Sequence, residues 1–307
     1  MEKSKVLGEC TECGNFNTTP IIVNNKLAYY SCKKCGHCNQ FVESKIKAFE
    51  NAQKHYFSTN LDTLNGVVSE QENKIIRKRF SLLKNLLNSP CKIIEVGPGL
   101  GIFAKFLFEK GNDVTLIEES SSLSNILRYQ NKFNVFEGVF ENIDINSNSF
   151  DLFVSMHVIE HVIDAKKHLS KALEIVKPGS YALIATPNGR CWQQRLFPTL
   201  SLHFDAAHLR VYSPLSLEYA CKSAGWTVIN IHTIEPSMGW LRLFTRILRI
   251  LKKEDQELTA GKYSNKTSVF FYFFILIFEL FSLPFRLLQE KLGGGYEILI
   301  ICQKPMI

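Results

Sequence analysis

Three glycines at alternate positions, Gly97, Gly99 and Gly101, follow the apolar run IIEV (Ile93–Val96) and lead into a helix-patterned segment. This order constrains the fold more than any other stretch of the chain. A strand that ends in a glycine turn and enters a helix brings free backbone amides close to a ligand, because no Cβ holds the ligand away. About twenty residues later a second apolar run, Val114–Ile117, ends at Glu118. An acid placed there accepts hydrogen bonds from both hydroxyls of a ribose. The spacing is G-x-G-x-G and lacks the third glycine of the pyrophosphate loop G-x-G-x-x-G. Glu95, two residues before Gly97, is a carboxylate whose place suits a cationic ligand better than a pyrophosphate.

Around this loop, apolar runs and helix-patterned segments alternate. Strands are expected at Ile93–Val96, Val114–Ile117, Phe133–Phe136, Phe150–Ser155, Tyr181–Ala185, Thr227–His232 and Tyr296–Cys302. Helices are expected near Gly101–Glu109, Ser121–Asn131, Ala165–Val176 and Pro214–Ala224. Such alternation predicts an α/β fold, a mostly parallel sheet covered by helices on both faces. Upstream, Ser44–Leu87 reads as helical and polar, with Ile75, Ile76, Phe80, Leu83 and Leu87 on one face and Pro90 as the stop.

Two CxxC pairs, Cys10/Cys13 and Cys32/Cys35, open the chain, each followed by glycine. Four thiolates brought together make a closed tetrahedral zinc site, structural because no ligand position stays open. The intervening PIIVNNKLAYYSC alternates as a hairpin turning at Asn24–Asn25, a zinc ribbon in outline. So short a segment draws its folding energy from the metal. His37 and Cys38 lie nearby as spare ligands. Met1–Asn15 is polar and carries no signal-peptide pattern, so a reducing cytoplasmic setting is expected, with the nine cysteines as ligands and buried thiols.

From Cys91 to about His232 the chain resembles the class I S-adenosylmethionine-dependent methyltransferases. The resemblance rests on IIEVGPGLG, on Glu118, and on FDLFVSMHVIEHVIDAKKHLSKALEIVKPGSYALIATPN (Phe150–Asn188), with its EH after the strand and its KPG turn. It implies a seven-stranded Rossmann-like sheet whose last strand is antiparallel. It also implies S-adenosyl-L-methionine as cofactor, its methionine part on Gly97–Gly101 and its ribose on Glu118, with His157 near cofactor and substrate. Where the family usually has GD after the third strand, this chain has Gly138-Val139. The adenine contact then falls to Phe140 or to a backbone amide.

Methyl transfer to a hydroxyl benefits from a base as the proton leaves. Candidates are His157, His161, His203, Asp205 and His208, the last three in HFDAAHLRVYS, where this family builds its substrate pocket. His208 is the first choice as base or substrate ligand. The alternatives are that it only ties down its loop while Ser213 caps the next helix, or that His203, Asp205 and His208 hold a metal.

Residues 235–295 interrupt the family pattern. WLRLFTRILRILKK sets Arg242, Arg246, Arg249 and Lys253 against Leu241, Phe244, Leu248 and Leu251, the pattern of a helix in a membrane interface. Val269–Leu288 has only ten apolar residues before Glu279 and then Pro284, short of the roughly twenty a span needs. An in-plane or re-entrant helix or a hydrophobic hairpin is expected, with core packing or homodimerisation as the alternative. The chain's net charge is +7, its basic residues cluster on the first of these helices, and no aromatic-basic nucleic-acid surface is legible elsewhere. The chain thus divides into a ribbon (1–45), a helical linker (46–89), a methyltransferase domain (90–234 and 296–307) and the insertion (235–295). Ribbon and insertion resemble bacterial sugar and surface-polysaccharide methyltransferases. The expected acceptor is a glycan or lipid-linked sugar intermediate at the cytoplasmic face of the inner membrane. A soluble quinone or nucleotide-sugar methyltransferase, and a cofactor-binding module without turnover, are the rival readings.

Overall fold

The computed structural model describes residues 9–23, 27–40, 70–87, 90–129, 133–201, 203–204, 207–251 and 269–306. Its main body is a seven-stranded sheet in the order β10-β11-β8-β7-β4-β5-β6. The strands are β4 (Lys92–Val96), β5 (Asp113–Glu118), β6 (Asn134–Glu137), β7 (Phe150–Met156), β8 (Val176–Pro187), β10 (Thr227–Ile234) and β11 (Glu297–Gln303). β11 runs antiparallel to both β8 and β10, and the other pairings are parallel. The expected architecture is therefore the observed one.

The central strands are largely apolar because both of their faces are covered. Ile94, Val96 and Phe153 face one core with α4 (Ala165–Ile175) and α6 (Pro214–Ser223). Ile93, Leu116, Leu152 and Val154 face the other, with α1 (Glu70–Leu83) and α2 (Ile102–Glu109). Helix starts follow local chemistry: Asp164 accepts from the Lys167 amide at 2.9 Å ahead of α4, and Ser213 forms a capping box with Ser216 ahead of α6. α1 ends at Leu83, earlier than the Pro90 stop expected from sequence. The amides of Leu86 and Leu87 turn back onto the Leu83 carbonyl, and Leu83 is fully buried.

A second, four-stranded antiparallel sheet joins β1 (Thr18–Val23), β2 (Leu27–Cys32) and β3 (Cys38–Gln40) to β9 (Arg210–Val211). Its fourth strand thus comes from the chain just ahead of α6. The hairpin tip 24–26 and residues 41–69 lie outside the described residues.

The insertion packs as α7 (Ser237–Leu251) and α8 (Val269–Lys291), the latter carrying Pro284 within it. Among the described residues no helix is long and apolar enough to cross a membrane. Gln289 on α8 is fully buried and binds Glu235, Gln193 and Trp240 at 2.7–3.0 Å. α1 is tied to the same region through Lys74–Glu279 (3.3 Å) and Lys78–Glu290 (2.5 Å). On α7 the structure buries Trp240, Leu241 and Leu243 and leaves Phe244 and Leu248 outside, so Leu241 belongs to the core. Arg246 is half-buried on the Ser201 carbonyl.

Candidate functional site

The glycine loop lies at the carboxyl end of β4. Gly97, Gly99 and Gly101 all have positive φ (64°, 56° and 70°), a conformation costly for any residue with a Cβ. At Gly97 a Cβ would also sit 2.5 Å from Val158, whereas at Gly99 it would meet nothing within 4 Å. Gly97 is thus needed for packing against the loop after β7, and Gly99 opens a cradle. Beside the cradle, Glu118 at the end of β5 is buried, and its Oε1 accepts from the Ser120 amide at 2.9 Å. Glu95 is buried as well, and its Oε2 has no hydrogen-bond partner.

Burial pushes the Glu95 carboxyl up to about 8, against the pull of Arg79. Burial likewise raises Glu118 to about 7, against hydrogen bonds from the amides of Ser120 and Gly99. Two buried carboxyls and an open glycine cradle fit an adenosyl sulfonium, which brings positive charge and ribose hydroxyls. The linkage has a definite sign. A carboxyl raised above its unfolded value contributes stability below that value and loses it as pH rises through the folded one. The unliganded protein is therefore expected to lose stability between about pH 4.5 and 8. A cationic ligand that prefers the ionised carboxylates should bind more tightly over the upper part of that range and release protons. Calorimetry of S-adenosylmethionine binding in buffers of different ionisation enthalpy from pH 6 to 8 would check this, and pH-independent affinity would contradict it.

His157 follows β7 with φ 55°. Its Nε2 lies 3.0 Å from Glu297 Oε1, and its Nδ1 lies 3.4 Å from Glu160 Oε1. Burial alone would lower its pKa, but the two carboxylates overcome this and raise it to about 9. Arg79 of α1 forms an ion pair with Glu297, so α1, β7 and β11 meet at this histidine. Its side chain is 42% exposed and open to a ligand.

His208 is half-buried, and its Nδ1 donates to the His203 carbonyl at 2.7 Å. Its ring centroid is 4.8 Å from that of His161, whose Nδ1 bonds the Ala207 carbonyl at 2.8 Å. Tyr29 of β2 donates to the His208 carbonyl at 2.8 Å. His203 is buried against Tyr296 at 4.3 Å between centroids, and burial lowers its pKa to about 3. Asp205 lies outside the described residues. Phe140 is buried against Phe153 and His168 (5.6 and 5.1 Å), so what faces outward near Gly138 is Val139.

The four ribbon cysteines converge. Sγ separations are 3.5 Å for Cys10–Cys35 and 3.6 Å for Cys13–Cys32, and all four sulfurs lie within 4.8 Å. Tetrahedral zinc with bonds of about 2.3 Å sets sulfurs about 3.8 Å apart, so the donor set fits zinc. His37 turns instead to Asn39 (3.1 Å), and Cys38 packs under Phe204 and Val211.

Residues that sequence reasoning did not assign include Arg79 and Glu297. Neither sits in a motif, and each reaches His157 only through tertiary packing. Glu160 was visible as part of the EH pair, without a role.

A family described as "Methyltransferase domain" matches residues 68–231. The ubiquinone biosynthesis O-methyltransferase of Rickettsia bellii is 30% identical over 121 residues, 38% of this chain and 49% of that protein. The chain spans about half the length of that curated relative. In fold it is similar to the 1,6-didemethyltoxoflavin-N1-methyltransferase of Burkholderia thailandensis, solved with S-adenosylhomocysteine (TM-score 0.52, 11% identity, 93% of this chain and 99% of that one). It is similar too to the [4+2]-cyclase SpnF (TM-score 0.54, 13% identity, 85% and 97%).

Proposed function

The chain belongs to the class I S-adenosylmethionine-dependent methyltransferases, and from that membership we propose that it O-methylates a glycan or lipid-linked sugar intermediate at a membrane surface. The observation that carries the methyltransferase reading is the open cradle at Gly99 flanked by the buried carboxyls of Glu95 and Glu118. In it Glu118 holds the ribose, Gly97–Gly101 the methionine part, and the exposed backbone after Gly138 the adenine. Methyl transfer from a sulfonium is an in-line displacement, so the protein's work is to fix the acceptor on the axis through methyl and sulfur. His157, braced by Glu297 and Glu160, orients the reactants. His208 activates the acceptor from the opposite loop. Isotope-labelled methyl donor supplied with cell-envelope extract should label one glycan component. No transfer, with cofactor binding intact, would support the non-catalytic rival.

Membrane contact is supported by the outer faces of α7 and α8. Phe244, Leu248, Leu280, Phe281, Leu287 and Leu288 are exposed there, Phe281 at 79%, a larger apolar concentration than scattered surface residues produce. Burying a Leu or Phe contributes roughly 1.5–3 kcal/mol. The double substitution L280E/F281E is therefore expected to reduce flotation with liposomes by tenfold or more, about 1.4 kcal/mol per tenfold. Unchanged flotation, or none by the parent protein, would remove the membrane from this proposal. A second reading, a quinone acceptor, is favoured by the ubiquinone O-methyltransferases among its relatives, and label in a quinol fraction would select it.

A further inference from the structure

We infer that Arg242 and Arg246 of α7, together with Tyr296 and His203, form a subsite for a phosphate or diphosphate group carried by the methyl acceptor. The inference rests on the methyltransferase reading and gives its acceptor a chemical class: a sugar joined to phosphate, as against a neutral glycan or a quinol.

The two arginines stand one turn apart, at i and i+4, so their side chains leave the same face of α7. That face meets Tyr296, just ahead of β11. Arg242 hydrogen-bonds the Tyr296 hydroxyl, and Arg246 lies within electrostatic range of the same side chain. Arg246 is half-buried and donates to the Ser201 carbonyl at 3.2 Å, but among the described residues no carboxylate pairs with it. A guanidinium has five N–H donors, and a charge drawn out of water without a counter-ion is costly. A phosphoryl group relieves that cost, because its oxygens match the planar guanidinium fork.

His203 is an independent observation at the same place. It is 2% exposed, its ring lies 4.3 Å from that of Tyr296, and its Nε2 has no hydrogen-bond partner. A neutral imidazole can carry its proton on Nε2 and donate it to a phosphoryl oxygen. The acid that Tyr296 senses is Glu235, which burial raises to about 8, so it is largely uncharged at neutral pH and does not repel an anion.

The subsite adjoins the crevice. Tyr296 precedes Glu297, which holds His157 Nε2 at 3.0 Å, and His203 is within range of the charges on His157, His208 and Glu160. An acceptor whose phosphate rests on α7 can thus extend its sugar hydroxyls toward His157. Phe244 and Leu248, each two residues beyond an arginine, are exposed on the far side of α7. A lipid tail joined to the phosphate would leave along that side.

The test titrates inorganic pyrophosphate into the full zinc-loaded chain by calorimetry, with and without saturating S-adenosylhomocysteine. One site is expected, with Kd on the order of 0.1 mM. Arg242→Gln and Arg246→Gln should each weaken it about tenfold or more, with nucleoside affinity unchanged. Lys110→Gln, at the C-terminal end of α2, should not weaken it. Melting temperature reports folding, and Arg242→Gln, at an exposed position, serves if Arg246→Gln unfolds. No binding at about 10 mM, equal binding by the folded arginine variants, or an equal loss in Lys110→Gln would overturn the subsite. Farnesyl diphosphate and uridine diphosphate glucose then compete with pyrophosphate. Stronger displacement by the first supports a lipid-linked acceptor, stronger displacement by the second a nucleotide-linked one, and displacement by neither overturns the proposal. Nucleoside binding without pyrophosphate binding sinks the phosphate subsite alone, and the reverse sinks only the methyltransferase reading.

Discussion

Replacing Glu118 with alanine should weaken S-adenosylhomocysteine binding about 100-fold while leaving the melting temperature unchanged or higher. A ribose diol donates two hydrogen bonds to an ionised carboxylate. At roughly 1.5–3 kcal/mol each, their loss exceeds the approximately 2.8 kcal/mol that corresponds to 100-fold. Stability moves the other way because burial has already raised this carboxyl to about 7. The folded state gains little from a charge it disfavours, and that burial cost outweighs the hydrogen bonds from the Ser120 and Gly99 amides that alanine removes. The variant should also show a shallower fall in stability from about pH 4.5 to 7, since one raised carboxyl has gone. Calorimetric titration and thermal melts at pH 5, 6, 7 and 8 measure both. An affinity within threefold of the parent would mean that the nucleoside does not lie against β5.

If zinc fills the cysteine site its donor set fits, chelation or Cys13→Ser should abolish methyl transfer and unfold the ribbon strands β1, β2 and β3. Structural zinc contributes on the order of 10 kcal/mol to small domains of this kind, more than such a segment can recover by burial. The effect should not stop at the ribbon. β3 pairs with β9, the Gln40 amide bonds the Leu209 carbonyl at 2.9 Å, and Ser213 bonds the Cys35 carbonyl. Tyr29, fully buried, holds the His208 carbonyl. Hydrogen exchange should therefore quicken in residues 207–213 as well as in 9–40, with β4 and β5 still protected. If 207–213 keep their protection after zinc loss, the ribbon is an independent appendage.

That coupling also marks how far the sequence could be read. The glycine loop, Glu118, the two CxxC pairs and the strand–helix alternation are local signals, carried by spacing and hydrophobic period, and each placed its element within a few residues. The insertion was harder. Its faces were assigned from periodicity, yet Leu241 is buried, because Gln289, Glu235 and Trp240 hold α7 and α8 against the sheet. Periodicity distinguishes two faces of a helix and does not say which neighbour covers either.

The sequence alone determined that this chain would form a mostly parallel sheet with a glycine-lined crevice and an acid at its centre, since short-range pattern and glycine stereochemistry suffice for that. Only the tertiary structure decided what stands around the crevice. Arg79, the His157–Glu160 loop, His208 and Glu297 are distant along the chain. They meet because α1, β7, β9 and β11 each bury an apolar face on the same sheet or on the ribbon, and that packing brings their polar ends together.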